Sequence, residues 1–311
     1  MIKVINKIFQ KQRINRRVLI ALIPIYLFAL YLYGPRLLIL GVPVFVVGIG
    51  AEYIFEKSRN KKVSEAVLVS CSLYLLSLPA HTPLWIAVIG IVFGIFMGKE
   101  IYGGFGRNIF NPALSGRLFV YLTFPNQLQV GYLEPGGFGI GADVITSATP
   151  LKLLRQGESI DMLMTFLGFR PGAMGESSIV LILIAAVYLM ATKTANWRII
   201  LSTFASGAIL TAALSLAGVS KALPPLGAMT SGSFLFVAVF YATDPVSAAK
   251  KKGAQWLYGT VIGTVSVLVR TFSLFPEGTS FGVFIANTFA SLLDHTVTQA
   301  NAKLAPQKGD A

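Results

Sequence analysis

The chain has 311 residues and carries 26 lysines and arginines against 13 aspartates and glutamates, a net charge of +13. Hydrophobic residues make up 54% and charged residues only 13%, against about 25% charged in an ordinary soluble domain, so a soluble globular surface is excluded and a polytopic membrane protein is indicated. The basic excess is spread over short segments between apolar runs and forms no single patch, which excludes a nucleic-acid partner.

The N-terminal segment, 1–17, is polar and basic and lacks a small-residue cleavage site. The first apolar run, 18–33, is therefore expected to be a retained membrane helix and not a signal peptide. Four more runs follow at 37–55, 66–78, 84–97 and 109–124, and after a long loop five others at 179–190, 199–217, 226–242, 257–272 and 281–293. Several are shorter than the roughly 20 residues that span a bilayer. These are expected to borrow flanking residues or to be broken helices buried in protein. With the N-terminus in the cytoplasm, nineteen of the 26 basic residues fall on cytoplasmic segments and five on the opposite side, while Arg117 and Arg270 lie within runs. That bias fixes the orientation. The predicted fold is an all-α integral membrane protein of about ten transmembrane helices. It has an N-terminal five-helix half (1–124), an extracytoplasmic loop (125–178) and a C-terminal five-helix half with a short cytoplasmic tail (179–311). An odd number of crossings per half implies inverted halves.

One cysteine, Cys71, lies inside an apolar run, and there are two histidines, His81 and His295. This excludes a disulfide framework and a cysteine-ligated iron–sulfur cluster within the chain, and no metal site is predicted.

Three clusters stand out in chain order. The first runs Tyr102-Gly103-Gly104-Phe105-Gly106-Arg107-Asn108, then Asn111-Pro112-Ala113-Leu114-Ser115-Gly116-Arg117. It lacks the Lys-Ser/Thr of a phosphate-binding loop and reads as a tight loop entering a helix at a proline. Arg117 is left over, and a charge within a membrane segment is by default functional. The second is in the long loop, glycine-rich near Gly136, Gly137, Gly139 and Gly141, then Asp143-Val144-Ile145-Thr146-Ser147-Ala148-Thr149-Pro150. Here Thr149 suits a helix N-cap with Pro150 at the first helical position. The same geometry suits a bound phosphate, with Lys152 and Arg155 adding charge one turn in. The third is Ala242-Thr243-Asp244-Pro245-Val246-Ser247-Ala248, ahead of the basic run 250–252. Farther on, Arg270 is expected either to pair with Glu277 or to serve a cofactor.

In these stretches the chain resembles a family of membrane proteins that includes the D component of Rnf ferredoxin:NAD oxidoreductase complexes and the B component of sodium-translocating NADH:quinone reductases. The matching residues are 103–113, Thr146-Ser147-Ala148-Thr149-Pro150-Leu151 and Ala242-Thr243-Asp244-Pro245-Val246-Ser247, with 270–278 and Ala286-Asn287 in support. The resemblance implies FMN esterified through its phosphate to Thr149, with Asp143, Thr146, Ser147, Ala148, Pro150, Lys152 and Arg117 as further cofactor-binding residues. Ser147 stands where the family most often has glycine. A second, non-covalent flavin (riboflavin) among the helices is also implied. So are the partners: the A, B, C, E and G components of an Rnf complex, a flavin-attaching transferase, the lipid bilayer, and Na⁺ or H⁺. Such a chain would sit in a bacterial inner membrane with both termini cytoplasmic. It would relay electrons in a redox-driven ion translocase, inactive alone. The short N-terminal tail favours the Rnf component. The B component of the quinone reductase, a flavin-free inverted-repeat transporter or channel, and a structural scaffold are the alternatives.

Overall fold

The computed structural model describes residues 9–128, 132–136, 146–219, 221–273, 275 and 277–304. Each of the ten apolar runs is helical along most of its length, and fourteen α-helical segments occur among the described residues. The first half contains α1 (Arg13–Tyr33), α2 (Pro35–Ser58), α3 (Ala66–Leu76), α4 (Leu84–Gly98) and α5 (Pro112–Thr123). The connecting region holds α6 (Pro125–Leu128), α7 (Pro150–Arg155) and α8 (Met162–Leu167). The second half contains α9 (Ile179–Ala191), α10 (Trp197–Leu216), α11 (Pro225–Thr230), α12 (Phe234–Phe236), α13 (Lys252–Phe272) and α14 (Gly278–Leu304). The fold departs from all-α in two small pairings. Phe9–Gln10 runs parallel to Val63–Ser64, and Tyr132–Leu133 runs antiparallel to Thr146–Ser147.

Among the described residues, four stretches are long and apolar enough to cross a membrane: Arg13–Tyr33, Pro35–Ser58, Leu84–Tyr102 and Trp197–Leu216. The first two form a hairpin. Gly34 takes a positive φ of 56° and donates its N–H to the Leu30 carbonyl at 2.8 Å, and Pro35 then starts α2 at the position where a missing N–H costs nothing. The outer faces of this pair expose Ile20, Ile23, Leu27, Tyr31, Leu38, Val42 and Val46. A contiguous apolar surface of that kind suits lipid, not water. The run 226–242 departs from the expectation of one helix. It breaks at Ser231-Gly232-Ser233 between α11 and α12, and α12 continues into a π-helical turn, Val237–Tyr241. Pro225 starts α11, and Gly232, at φ 61°, turns the chain.

Helices inside lipid gain little from burying apolar surface against one another, so close backbone approach holds them together. Gly90, Gly94 and Gly98 line one face of α4 at four-residue spacing. A Cβ on Gly94 would strike the Pro112 carbonyl, one on Gly98 would lie 2.8 Å from the Pro112 Cα, and one on Gly116 would lie 2.5 Å from the Gly90 carbonyl oxygen. In the second half, Gly263 of α13 meets α10 in the same way, and Gly282 of α14 meets the Ile262 carbonyl of α13. Gly94→Ala is expected to cost about 1–3 kcal/mol, the usual penalty for overpacking, read as a lower unfolding midpoint of the detergent-solubilised protein. An unchanged midpoint would show that the two backbones do not touch.

Candidate functional site

Two clefts collect the sequence clusters. The first surrounds Thr149. The backbone of Thr149 is extended (φ −68°, ψ 154°), and its Oγ1 accepts the Lys152 N–H at 3.3 Å as the N-cap of α7. Pro150 is buried at the first helical position. Thr146 and Ser147 lead into this turn as the strand paired with Tyr132 and Leu133, and Ala148 bridges strand and cap. Thr149, Pro150 and Leu151 form one wall of a cleft whose other walls are Tyr132, Arg170 to Ala173, Glu176, Gly232, Ser233 and Glu277. Its volume is about 420 Å³, counted to the open mouth. Lys152 is exposed and does not line it. Asp143 lies outside the described residues.

Behind the floor of this cleft sits Arg117, completely buried in α5. Its Nη2 meets a carboxylate oxygen of Glu176 at 2.7 Å and of Glu277 at 2.8 Å. Arg117 therefore reaches the cleft only through the two glutamates that line it. Arg270 does not pair with Glu277 directly, which removes one of the two roles the sequence left open. Its Nη1 donates instead to the carbonyls of Ala228 and Ser231, at 2.9 and 3.1 Å. Glu277 is seven residues from Arg270 but 160 from Arg117. The break in α11–α12 opens the space in which Ser233 and Glu277 meet, 3.4 Å apart. Arg170, counted in the sequence only as a loop charge, is buried and donates to the carbonyls of Glu176, Ser177 and Thr230. Two sequence features could have led here but were not used: the Ser-Gly-Ser interruption of an apolar run, and the polar Gly175-Glu176-Ser177-Ser178 stretch ahead of α9.

The second cleft joins the other two clusters. Asn111 caps α5, with its Oδ1 accepting the Leu114 N–H at 3.2 Å, and its Nδ2 donates to Asp244 Oδ2 at 2.6 Å across 133 residues of sequence. The other Asp244 oxygen accepts from Val246 N–H at 2.8 Å. Burial pushes the Asp244 carboxyl up from the usual range, and these donors oppose the shift. Asn108, Phe105, Pro245, Phe240 and Lys99 are among the other residues that line it, around about 650 Å³ counted to the open side. Lys99 is buried and bound to Glu52 at 2.5 Å. Glu52 went unnoticed in the sequence, although a carboxylate inside the run 37–55 is the type of charge that marks function in a membrane segment. Among the described residues no group of three or more His, Cys, Asp or Glu could hold a metal ion.

The model of the NQR2, RnfD, RnfE family matches residues 5–303. Similar proteins include the B component of the Na(+)-translocating NADH-quinone reductase of Chromohalobacter salexigens, 41% identical over 271 residues, or 83% of this chain and 64% of the relative. The same component from Pseudoalteromonas atlantica is 36% identical over 282 residues, 88% of this chain and 70% of the relative. That from Yersinia pestis is 36% identical over 284 residues, 86% and 67%. The chain thus spans about two thirds of the length of these relatives. With a match over nearly its whole length and apolar helices of spanning length, this membrane-embedded chain belongs to the NQR2, RnfD, RnfE family.

Proposed function

We propose that the chain is the electron-relay subunit of an ion-translocating ferredoxin:NAD oxidoreductase, with FMN esterified to Thr149 Oγ1. The observation that carries this reading is the position of the Thr149 hydroxyl on the wall of a cleft backed by buried arginines and glutamates. The cleft is open at its mouth, so a transferase could reach the hydroxyl. A flavin there would supply one- and two-electron transfer, while the protein supplies binding and electrostatics. On this reading Thr149 presents the hydroxyl and Pro150 fixes the backbone that aims it. Tyr132, Leu151 and Ala173 exclude water, and the Glu176–Arg117–Glu277 triad holds the floor rigid.

The second cleft, with the Asn108, Asn111 and Asp244 side chains between Phe105 and Phe240, has amide and aromatic groups suited to a non-covalent riboflavin. The partners under this reading are the A, B, C, E and G components of an Rnf complex, the flavin-attaching transferase, and Na⁺ or H⁺ as the coupled ion. About ten crossings in two inverted halves (1–124 and 179–311) would place the 125–178 loop outside a bacterial inner membrane and both termini inside. The 41% identity to a component of a Na(+)-translocating NADH-quinone reductase favours a second reading, the same relay in a quinone reductase. Purification with native partners distinguishes them: ferredoxin:NAD activity supports the first and NADH:quinone activity the second.

The test of the flavin is a denaturing gel of the chain made with its transferase, viewed under ultraviolet light beside Thr149→Ala. A fluorescent band that Thr149→Ala lacks is the expected result. A dark wild-type lane would overturn covalent attachment and favour the flavin-free transporter.

A further inference from the structure

The charges buried around the Thr149 cleft do not balance. Arg117, Arg170 and Arg270 are 0%, 5% and 3% exposed, and Glu176 and Glu277 are each 6% exposed. Three buried cations stand against two buried carboxylates, while Lys152 and Arg155 of α7 are less buried and do not line the cleft. An uncompensated charge in an apolar interior is costly unless something neutralises it.

The excess charge can be traced to one side chain. The charge of Arg117 is matched by both carboxylates, which its Nη2 meets, although its Nε and Nη1 are also buried without a partner. Arg170 spends Nε, Nη1 and Nη2 on three carbonyls at 3.0, 2.8 and 2.6 Å. Arg270 uses Nη1 alone, and its Nε and Nη2 have no partner although both are buried. These two nitrogens share one edge of the guanidinium, and two parallel N–H groups there match two oxygens of a phosphate. Arg270 does not itself line the cleft, but this edge lies just behind its wall: a Cβ on Gly232, which lines the cleft, would be 3.3 Å from Arg270 Nη2 and 3.3 Å from Leu151 Cδ2. The guanidinium is braced by the Phe234 ring, 5.6 Å from its centroid. Arg155 of α7 in turn donates to the Arg270 carbonyl at 2.6 Å, tying the Thr149 helix to this residue.

We propose that Arg270 is the counter-charge of a phosphodiester carried on Thr149, gripped through Nε and Nη2, and so docks the attached group in the cleft. This rests on the covalent flavin proposed above. A phosphodiester carries one negative charge, which is the charge the buried set lacks. Arg270 is a positioning residue: it takes no part in forming the ester bond, and the hydroxyl remains when it is replaced.

The test uses wild type, Arg270→Gln and Arg270→Lys, each made with the transferase. In-gel fluorescence first reports attachment. Quenching of the flavin by acrylamide, a neutral molecule, and the ³¹P resonance of the ester then report docking. Arg270→Gln is expected to keep its fluorescent band, show a severalfold rise in quenching and shift the ³¹P line. Arg270→Lys, with the charge but without the fork, is expected to fall between. A banded Arg270→Gln with wild-type quenching and ³¹P shift overturns the proposal. If Arg270→Gln does not accumulate, Arg270→Lys decides by the same two readouts, and an unmoved ³¹P line overturns it. A dark wild-type lane defeats the covalent flavin itself, an outcome separate from any result on Arg270.

Discussion

Arg117→Met is expected to lower stability by about 3–5 kcal/mol, the cost of leaving buried charges without their partner. Glu176 and Glu277 both approach Arg117 Nη2 within 2.8 Å, so removing the cation strands two carboxylates. They come from distant segments, the turn before α9 and the start of α14, and both converge on α5. Losing Arg117 thus frees two joints of the bundle at once. The triple variant Arg117→Met, Glu176→Gln, Glu277→Gln is expected to recover most of the loss, since it removes the charges together. Thermal unfolding of the detergent-solubilised protein checks both. An Arg117→Met midpoint equal to wild type would show that the triad contributes no stability.

Thr149→Asn is expected to abolish covalent flavin completely while leaving α7 intact. The Thr149 hydroxyl has two employments, and a single alanine substitution confounds them. It caps α7 by accepting the Lys152 N–H, a role whose loss to alanine costs about 0.5–2 kcal/mol. It is also the oxygen to be esterified. Asparagine caps at least as well as threonine but has no hydroxyl. Serine keeps both, so Thr149→Ser is expected to retain the fluorescent band if the transferase accepts a primary alcohol. The pattern to look for in the gel is dark asparagine and alanine lanes, with the unfolding midpoint lowered in alanine alone. A fluorescent Thr149→Asn lane would move the attachment point to another residue.

Much of this arrangement was legible in the sequence because it is local. Apolar runs report helices, and Thr149-Pro150 reports a cap and a first turn. The Asn111-Pro112 pair reports a helix start in the same way, and Asn111 does cap α5. What could not be read were pairings across the bundle. Proximity suggested Glu277 as the partner of Arg270, yet Glu277 pairs with Arg117 from the first half, and Arg270 turns to backbone carbonyls. Hydrophobicity places a residue inside or outside but says nothing about which inside neighbour it meets. The break at Ser231-Gly232-Ser233 was hidden because five apolar residues, Phe234–Ala238, follow it directly. Glu52 was masked likewise by the apolar residues around it.

The glycine seam between α4 and α5 limits how the bundle can move. Where main chain rests on main chain, no rotamer can give way, so the two helices shift together or not at all. The Arg117 triad then fastens this unit to the floor of the Thr149 cleft, and Asn111 fastens its other end to Asp244. Any hinge in this half of the protein must lie outside that block. The interrupted stretch from Thr230 through the π-helical turn at Val237–Tyr241 lies outside it.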